Sequence, residues 1–228
     1  MPTAPTAVFD LDGTLIDTAP DLLDAVNYVL KQAGLGQVER PELNHLVGQG
    51  GRAMIRAAFA KFGREIDEAT LDEMIPIFIK AYSQSMPGKS KPYDRVLELI
   101  RSMRADGWLC AVCTNKMKQL ADPLLAALEL DTLFDHVAGG DSYSFKKPDP
   151  RHIQQTILDA GGSPDHAVMF GDSENDILAA KSANIPVIAV DFGYTPEHVS
   201  VYGPDRVISD YGQITIADVK ELMTPISR

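Results

Sequence analysis

Thr6-Ala7-Val8-Phe9 is a short β-type run, and Asp10-Leu11-Asp12-Gly13-Thr14 follows it directly. The same kind of apolar run recurs at Leu109 to Cys113, His166 to Phe170 and Val187 to Val190, with weaker signals at His136 to Ala138 and Arg206 to Ser209. Between these runs lie helical patterns. Tyr93 to Ala105 carries Val96, Leu97, Leu99, Ile100 and Met103 at helical spacing, and Arg151 to Ala160 carries Ile153, Ile157 and Leu158. Strands alternating with helices predict an α/β protein whose core is a Rossmann-like open parallel sheet.

One stretch breaks the rhythm, because Pro20 to about Met86 offers no strand. Leu22, Leu23, Val26, Val29, Leu30 and Ala33 line one face of a helix, with Thr18 as its expected N-cap and Gly34 just past its end. Further helices are expected around Glu42 to Val47, Arg52 to Phe62 and Thr70 to Ser83, and Pro87-Gly88-Lys89-Ser90-Lys91-Pro92 reads as a linker. The organisation predicted is a core of residues 1–17 and 88–228 with a small α-helical cap, 18–87, inserted into it. Gln213 to Met223 resembles a closing helix, and no repeat or low-complexity tract is present.

The 228 residues carry 32 acidic against 21 Lys and Arg side chains, a net charge of −11, with no basic stretch. Such a field does not hold nucleic acid or an anionic membrane, so any anionic ligand needs local positive charge. No apolar run approaches the roughly eighteen residues that span a bilayer. Met1-Pro2-Thr3-Ala4-Pro5 opens without a basic, apolar leader, which predicts a cytoplasmic address. Cys110 and Cys113 fall three apart in one strand and so point to opposite faces, which predicts two buried, inert thiols rather than a zinc or redox pair.

Ligands of open α/β sheets bind beyond the carboxyl ends of the strands. There the chain places Asp10, Asp12 and Thr14, then Thr114-Asn115, then Gly171-Asp172-Ser173-Glu174-Asn175-Asp176, with Lys146-Lys147-Pro148 after the weak strand. Carboxylates converging on one edge disfavour one another's ionisation unless a cation neutralises them. Magnesium, which prefers oxygen ligands and commonly uses one or two carboxylates plus a substrate phosphate, suits Asp10, Asp12 and Asp172. None of the five histidines lies in these segments.

Asp10-Leu11-Asp12-Gly13-Thr14, Thr114, Lys147-Pro148 and Gly171 to Asp176, in that order, resemble the four motifs of the haloacid-dehalogenase superfamily of phosphotransferases. The likeness covers nearly the whole chain, and the helical insertion resembles that superfamily's mobile cap. Asp17-Thr18-Ala19-Pro20-Asp21-Leu22, Val47 to Arg52 and Thr114-Asn115-Lys116 look like the phosphoglycolate phosphatase branch. The resemblance implies a Mg2+-dependent phosphatase of a small phosphorylated metabolite, foremost 2-phosphoglycolate, working as a monomer or homodimer. Asp10 would be the nucleophile and Asp12 the acid and base. Lys147 would offset charge on the phosphoryl oxygens, with Thr114 and the backbone at Asp12 and Asn115 positioning them. Asp10, the Asp12 carbonyl and Asp172 would be metal ligands, and Asp176 would hold a metal-bound water or orient Lys147.

Plainer readings stand beside these. An Asp-x-Asp pair alone is commonly a turn, Thr114 can cap the helix after it, and Asp172 can cap the helix near Glu174. Gly48-Gln49-Gly50-Gly51 is either a loop between cap helices or a loop that lets Arg52 reach a substrate carboxylate in a bidentate contact. Lys116 is either a surface lysine or a second contact near the phosphate. Asp94-Arg95 stands where relatives often have Pro-Gly, and Asn184 where glycine is usual, which puts those local turns in doubt. A mutase, a phosphatase of a sugar phosphate or pyrophosphate, and a receiver-like module with a stable phospho-Asp10 are the competing functions. The insertion argues against the receiver, which needs no lid.

Overall fold

The computed structural model describes residues 3–224, so the first two residues of the amino-terminal reading lie outside the described residues. Its elements run β1 (Thr6–Phe9), β2 (Ile16–Asp17), α1 (Ala19–Gln32), α2 (Arg40–Leu43), α3 (Gly51–Lys61), α4 (Glu68–Ser85), β3 (Lys91–Pro92) and α5 (Val96–Ala105). Then follow β4 (Leu109–Cys113), α6 (Lys118–Ala127), β5 (His136–Ala138), α7 (Pro150–Asp159), β6 (Ala167–Gly171), α8 (Glu174–Ser182), β7 (Val187–Val190), β8 (Arg206–Ile208) and α9 (Ile216–Met223).

Six strands form one sheet in the order β5-β4-β1-β6-β7-β8, and every neighbouring pair is parallel. Both faces are covered, as a parallel sheet requires. Ala7, Phe9, Cys110, Val112, Val168 and Phe170 enter one apolar cluster, while Val8, Cys113, Ala167, Met169, Val187 and Ala189 enter another. The two cysteines therefore lie on opposite faces, both free, and burial pushes each thiol up to about 12. Neither is a thiolate nucleophile.

Helices α1 to α4 bury their own apolar faces together, through Leu22, Val26, Val29, Leu30, Met54, Ile55, Phe59, Leu71, Phe78 and Tyr82. Leu120 of α6 and Tyr194 enter the same cluster, so this apolar core also seats the helices on the rest of the chain. Gly34 follows the end of α1 at φ +70, in the left-handed conformation that stops a helix. The expected helix at Glu42 to Val47 is instead a four-residue α-turn continued by a 3-10 segment, Asn44–Gln49.

The stretch read wholly as a linker ends in a strand. Lys91–Pro92 pairs antiparallel with Ile16–Asp17, so the chain crosses between sheet and helical unit on a two-stranded ribbon. Two residues, one of them proline, leave no alternating pattern to read. Asp21, buried in the first turn of α1, closes this crossing by accepting from Lys89 N at 2.8 Å, Ser90 N at 2.8 Å and Ser90 Oγ at 2.5 Å.

Candidate active site

The loop after β1 is folded on itself by hydrogen bonds from Leu15 N and Ile16 N to Leu11 O and from Gly13 N to Ile16 O. Gly13 sits at φ +87 beside Asp172, where a Cβ would fall 2.4 Å from Asp172 Oδ2. Only glycine permits that approach. Asp172, at the end of β6, is held on both oxygens, by Thr14 Oγ1 at 3.0 Å and by the backbone N–H of Tyr194 at 2.8 Å. Those contacts explain why Asp172 does not cap the next helix. Ser173 does, in a reciprocal box with Asp176, whose Oδ2 accepts from Ser173 N and Oγ.

Lys147 is buried, and its ammonium reaches Cys113 O at 2.6 Å, Asp176 Oδ1 at 2.5 Å and Asp10 Oδ1 at 2.9 Å. Lys146 is exposed. Burial alone would push the Lys147 ammonium down, but Asp10 and Asp176 outweigh it and hold it above its ordinary value. His152, buried and held at about 4 by burial and by Lys147, accepts the Lys147 N–H on Nδ1 and faces Gly139 O with Nε2. A neutral ring with its proton on Nε2 satisfies both contacts.

Asp10, Asp172 and Asp176 each offer an oxygen within 4.8 Å of the others, all three side chains being buried. Burial, opposed by Lys147, raises Asp10 to about 6, and burial followed by the charges of Asp10 and Asp176 raises Asp172 well above its ordinary value. Asp10 Oδ1 meets the Lys147 ammonium at 2.9 Å. Three carboxylates with one lysine among them, all oxygen donors and no thiolate or imidazole, fit a hard divalent cation.

Asp12 turns the other way. Its carboxylate accepts from Thr18 Oγ1 at 2.7 Å and from Lys116 Nζ at 3.0 and 3.1 Å. Lys116 is not a surface lysine: its side chain is 4% exposed, roofed by the Tyr82 ring from α4 at 4.5 Å. Thr114 accepts from Lys116 N in the turn after β4, and α6 begins only at Lys118, so Thr114 caps that turn rather than the helix. Asn115 donates from Nδ2 to Lys147 O, which ties the β4 loop to the lysine loop.

Arg52 is not brought into this group. Its guanidinium pairs with Asp72 at 2.6 Å and Glu68 at 2.5 Å on α4, and its side chain is 47% exposed. Thr18 precedes α1, but its hydroxyl serves Asp12; the hydroxyl of Tyr194 caps the helix instead, accepting from Thr18 N at 2.8 Å and Ala19 N at 3.0 Å while donating to Asp17. Neither Tyr194 nor Tyr82 carried a motif. A surface cavity of about 660 Å³ between α5 and the C-terminal segment is lined by none of Asp10, Asp12, Asp172 and Asp176.

With the strand-end geometry in place, residues 7–190 match the model of the family described as haloacid dehalogenase-like hydrolase. The chain belongs to that family. Two relatives of this hydrolase are phosphoglycolate phosphatases. That of Mesorhizobium japonicum is 46% identical over 96% of both chains, and that of Agrobacterium fabrum is 46% identical over 98% of this chain and 96% of its own. Among solved structures, a predicted phosphoglycolate phosphatase from Haemophilus somnus superimposes on the hydrolase with a TM-score of 0.85 at 29% identity, covering 98% of this chain and all of its own. No helix among the described residues is long and apolar enough to cross a membrane.

Proposed function

We propose that this hydrolase is a magnesium-dependent phosphatase that converts 2-phosphoglycolate to glycolate and phosphate. The observation that carries the reading is the gathering of Asp10, Asp172 and Asp176 into one buried cluster, with Lys147 on Asp10 and Asp176 and with Asp12 two residues beyond Asp10. The relatives named phosphoglycolate phosphatase, at 46% identity over nearly full length, support the substrate.

In this reading an Asp10 oxygen attacks phosphorus, and the bond from phosphorus to the ester oxygen breaks. Asp12 gives its proton to the departing alkoxide, then takes one from the water that cleaves the aspartyl phosphate. Lys147 offsets charge on the phosphoryl oxygens, and the Thr114 hydroxyl and the backbone at Asn115 orient them. Magnesium, held by Asp10, the Asp12 carbonyl and Asp172 with Asp176 behind, would neutralise these carboxylates and the phosphate together. Asp176 also orients Lys147. Lys116 faces the leaving group from beside Asp12; Arg52 is left out because Glu68 and Asp72 engage it. The helical unit 18–87 acts as the cap that excludes water from the acyl phosphate.

Phosphate release from 2-phosphoglycolate, sugar phosphates and pyrophosphate, with Mg2+ or with EDTA, tests this reading. The expected result is metal-dependent release strongest on 2-phosphoglycolate and abolished in Asp10→Asn. Full turnover in that variant removes Asp10 as nucleophile, and a better rate on another ester removes the substrate.

A further inference from the structure

Among the described residues, Thr6 Oγ1, Asn115 Oδ1 and the Tyr82 hydroxyl are buried side-chain polar atoms that make no well-aligned hydrogen bond. Asn115 belongs to the site already described. Tyr82 comes from the opposite side, on α4 of the helical unit, where it is completely buried. Buried tyrosines ordinarily find a partner for the hydroxyl, because an unmet donor in a dry interior is unfavourable. This one instead lies against the Lys116 ammonium, 4.5 Å from the ring centre, and that ammonium is 3.0 Å from Asp12.

We propose that the Tyr82 hydroxyl is the specificity-determining donor of the cap, forming with Lys116 a two-donor subsite for the carboxylate of a short leaving group. The proposal rests on the phosphatase reading above. Its chemistry follows from placement. Asp12 must touch the ester oxygen to protonate it, and Lys116 is in hydrogen-bond contact with Asp12, so whatever Lys116 binds lies only a bond or two beyond the ester oxygen. In glycolate the carboxylate carbon is two bonds from that oxygen. A phenol O–H and an ammonium are both donors, and together they match an acceptor-only carboxylate. One donor rides on the cap and one on the core, so a carboxylate between them also holds the cap down over the reaction.

The test compares 2-phosphoglycolate with ethyl phosphate, which keeps the ester and replaces the carboxylate by a methyl group, in the wild-type enzyme and in Tyr82→Phe with Mg2+ present. Wild type is expected to prefer 2-phosphoglycolate, and Tyr82→Phe to reduce the ratio of the two kcat/KM values at least about tenfold, the size of one hydrogen bond to a charged group. Because the hydroxyl lies beside the Lys116 ammonium without a well-aligned hydrogen bond, the melting temperature of Tyr82→Phe should change little. An unchanged ratio overturns the proposal, as does an equal loss on both esters with a lowered melting temperature, which would mark Tyr82 as packing alone. A wild-type enzyme with no preference for 2-phosphoglycolate overturns the substrate reading itself, and the carboxylate subsite falls with it.

Discussion

The Lys147 ammonium and Asp176 Oδ1 stand 2.5 Å apart with both side chains withdrawn from water, and Asp176 is fixed in turn by Ser173 at the start of α8. Removing one partner of such a pair leaves a buried charge unmet, which costs about 3–5 kcal/mol. Lys147→Met is therefore expected to lower the metal-free unfolding free energy by that amount and to cut phosphate release by at least ~100-fold. Urea unfolding in EDTA and steady-state kinetics check the two effects; a destabilisation under about 1 kcal/mol would show that the pair is solvated.

The same crowding sets a pH dependence. Burial first, and neighbouring carboxylates after it, raise Asp10 from 3.8 to about 6 and Asp172 well above its ordinary value. The folded state thus keeps protons that the unfolded chain has released, so this contribution is fully present below about pH 4 and is lost as pH rises through 6 and beyond. A divalent cation favours the ionised carboxylates and reverses the loss. Mg2+ at roughly 100 times its Kd is worth ~2.7 kcal/mol, and the gain in melting temperature over EDTA should be larger at pH 7.5 than at pH 5. Equal gains at both would remove these carboxylates as the ligands.

The parallel sheet is legible because its central strands are buried on both faces, which leaves short, nearly continuous apolar runs; β1, β4 and β7 fall where those runs do, while edge strand β5 is only half-buried and gives a weak signal. Asp10, Asp172 and Lys147 stood out because each follows such a run, and a parallel sheet brings those ends to one edge. What the chain hid is long-range. Lys116 reads equally as a surface lysine or as a contact near the phosphate until Tyr82 from α4 is laid over it. Tyr194 lies in coil after β7, and only the fold brings its hydroxyl to Thr18 and Ala19. The glycine-rich loop leaves Arg52 open to a plain solvated role or to a substrate carboxylate, whereas the acidic residues that take it, Glu68 and Asp72, belong to another helix.

Tyr194 joins the ribbon side of the molecule to the acidic group through two different atoms. Its hydroxyl satisfies Thr18 N and Ala19 N, and its own N–H holds Asp172. Tyr194→Phe leaves two backbone donors unmet, at about 1–3 kcal/mol each, but keeps the N–H. The expected outcome in urea is a loss of roughly 2–6 kcal/mol with Mg2+ affinity, read by titration calorimetry, nearly unchanged. A large loss of affinity would mean that the hydroxyl, and not the backbone, positions Asp172.

Arg95 and Asn184, the positions where relatives often carry glycine, sit at φ +65 and +57. The turns that glycine would make are therefore retained, with side chains in the left-handed region. For an ordinary side chain that conformation costs roughly 1–2 kcal/mol, partly offset against glycine by the extra backbone entropy glycine loses on folding, about 0.5–1 kcal/mol. Arg95 precedes α5, its side chain is 59% exposed, and its contact with Asp210 is 3.3 Å long. An exposed pair of that kind contributes little. Arg95→Gly should stabilise the protein by ~0.5–1 kcal/mol, whereas Asn184→Gly should gain only a few tenths, because asparagine tolerates the left-handed region. Paired urea midpoints decide the matter, and a destabilised Arg95→Gly would show that the arginine side chain contributes more than its strain removes.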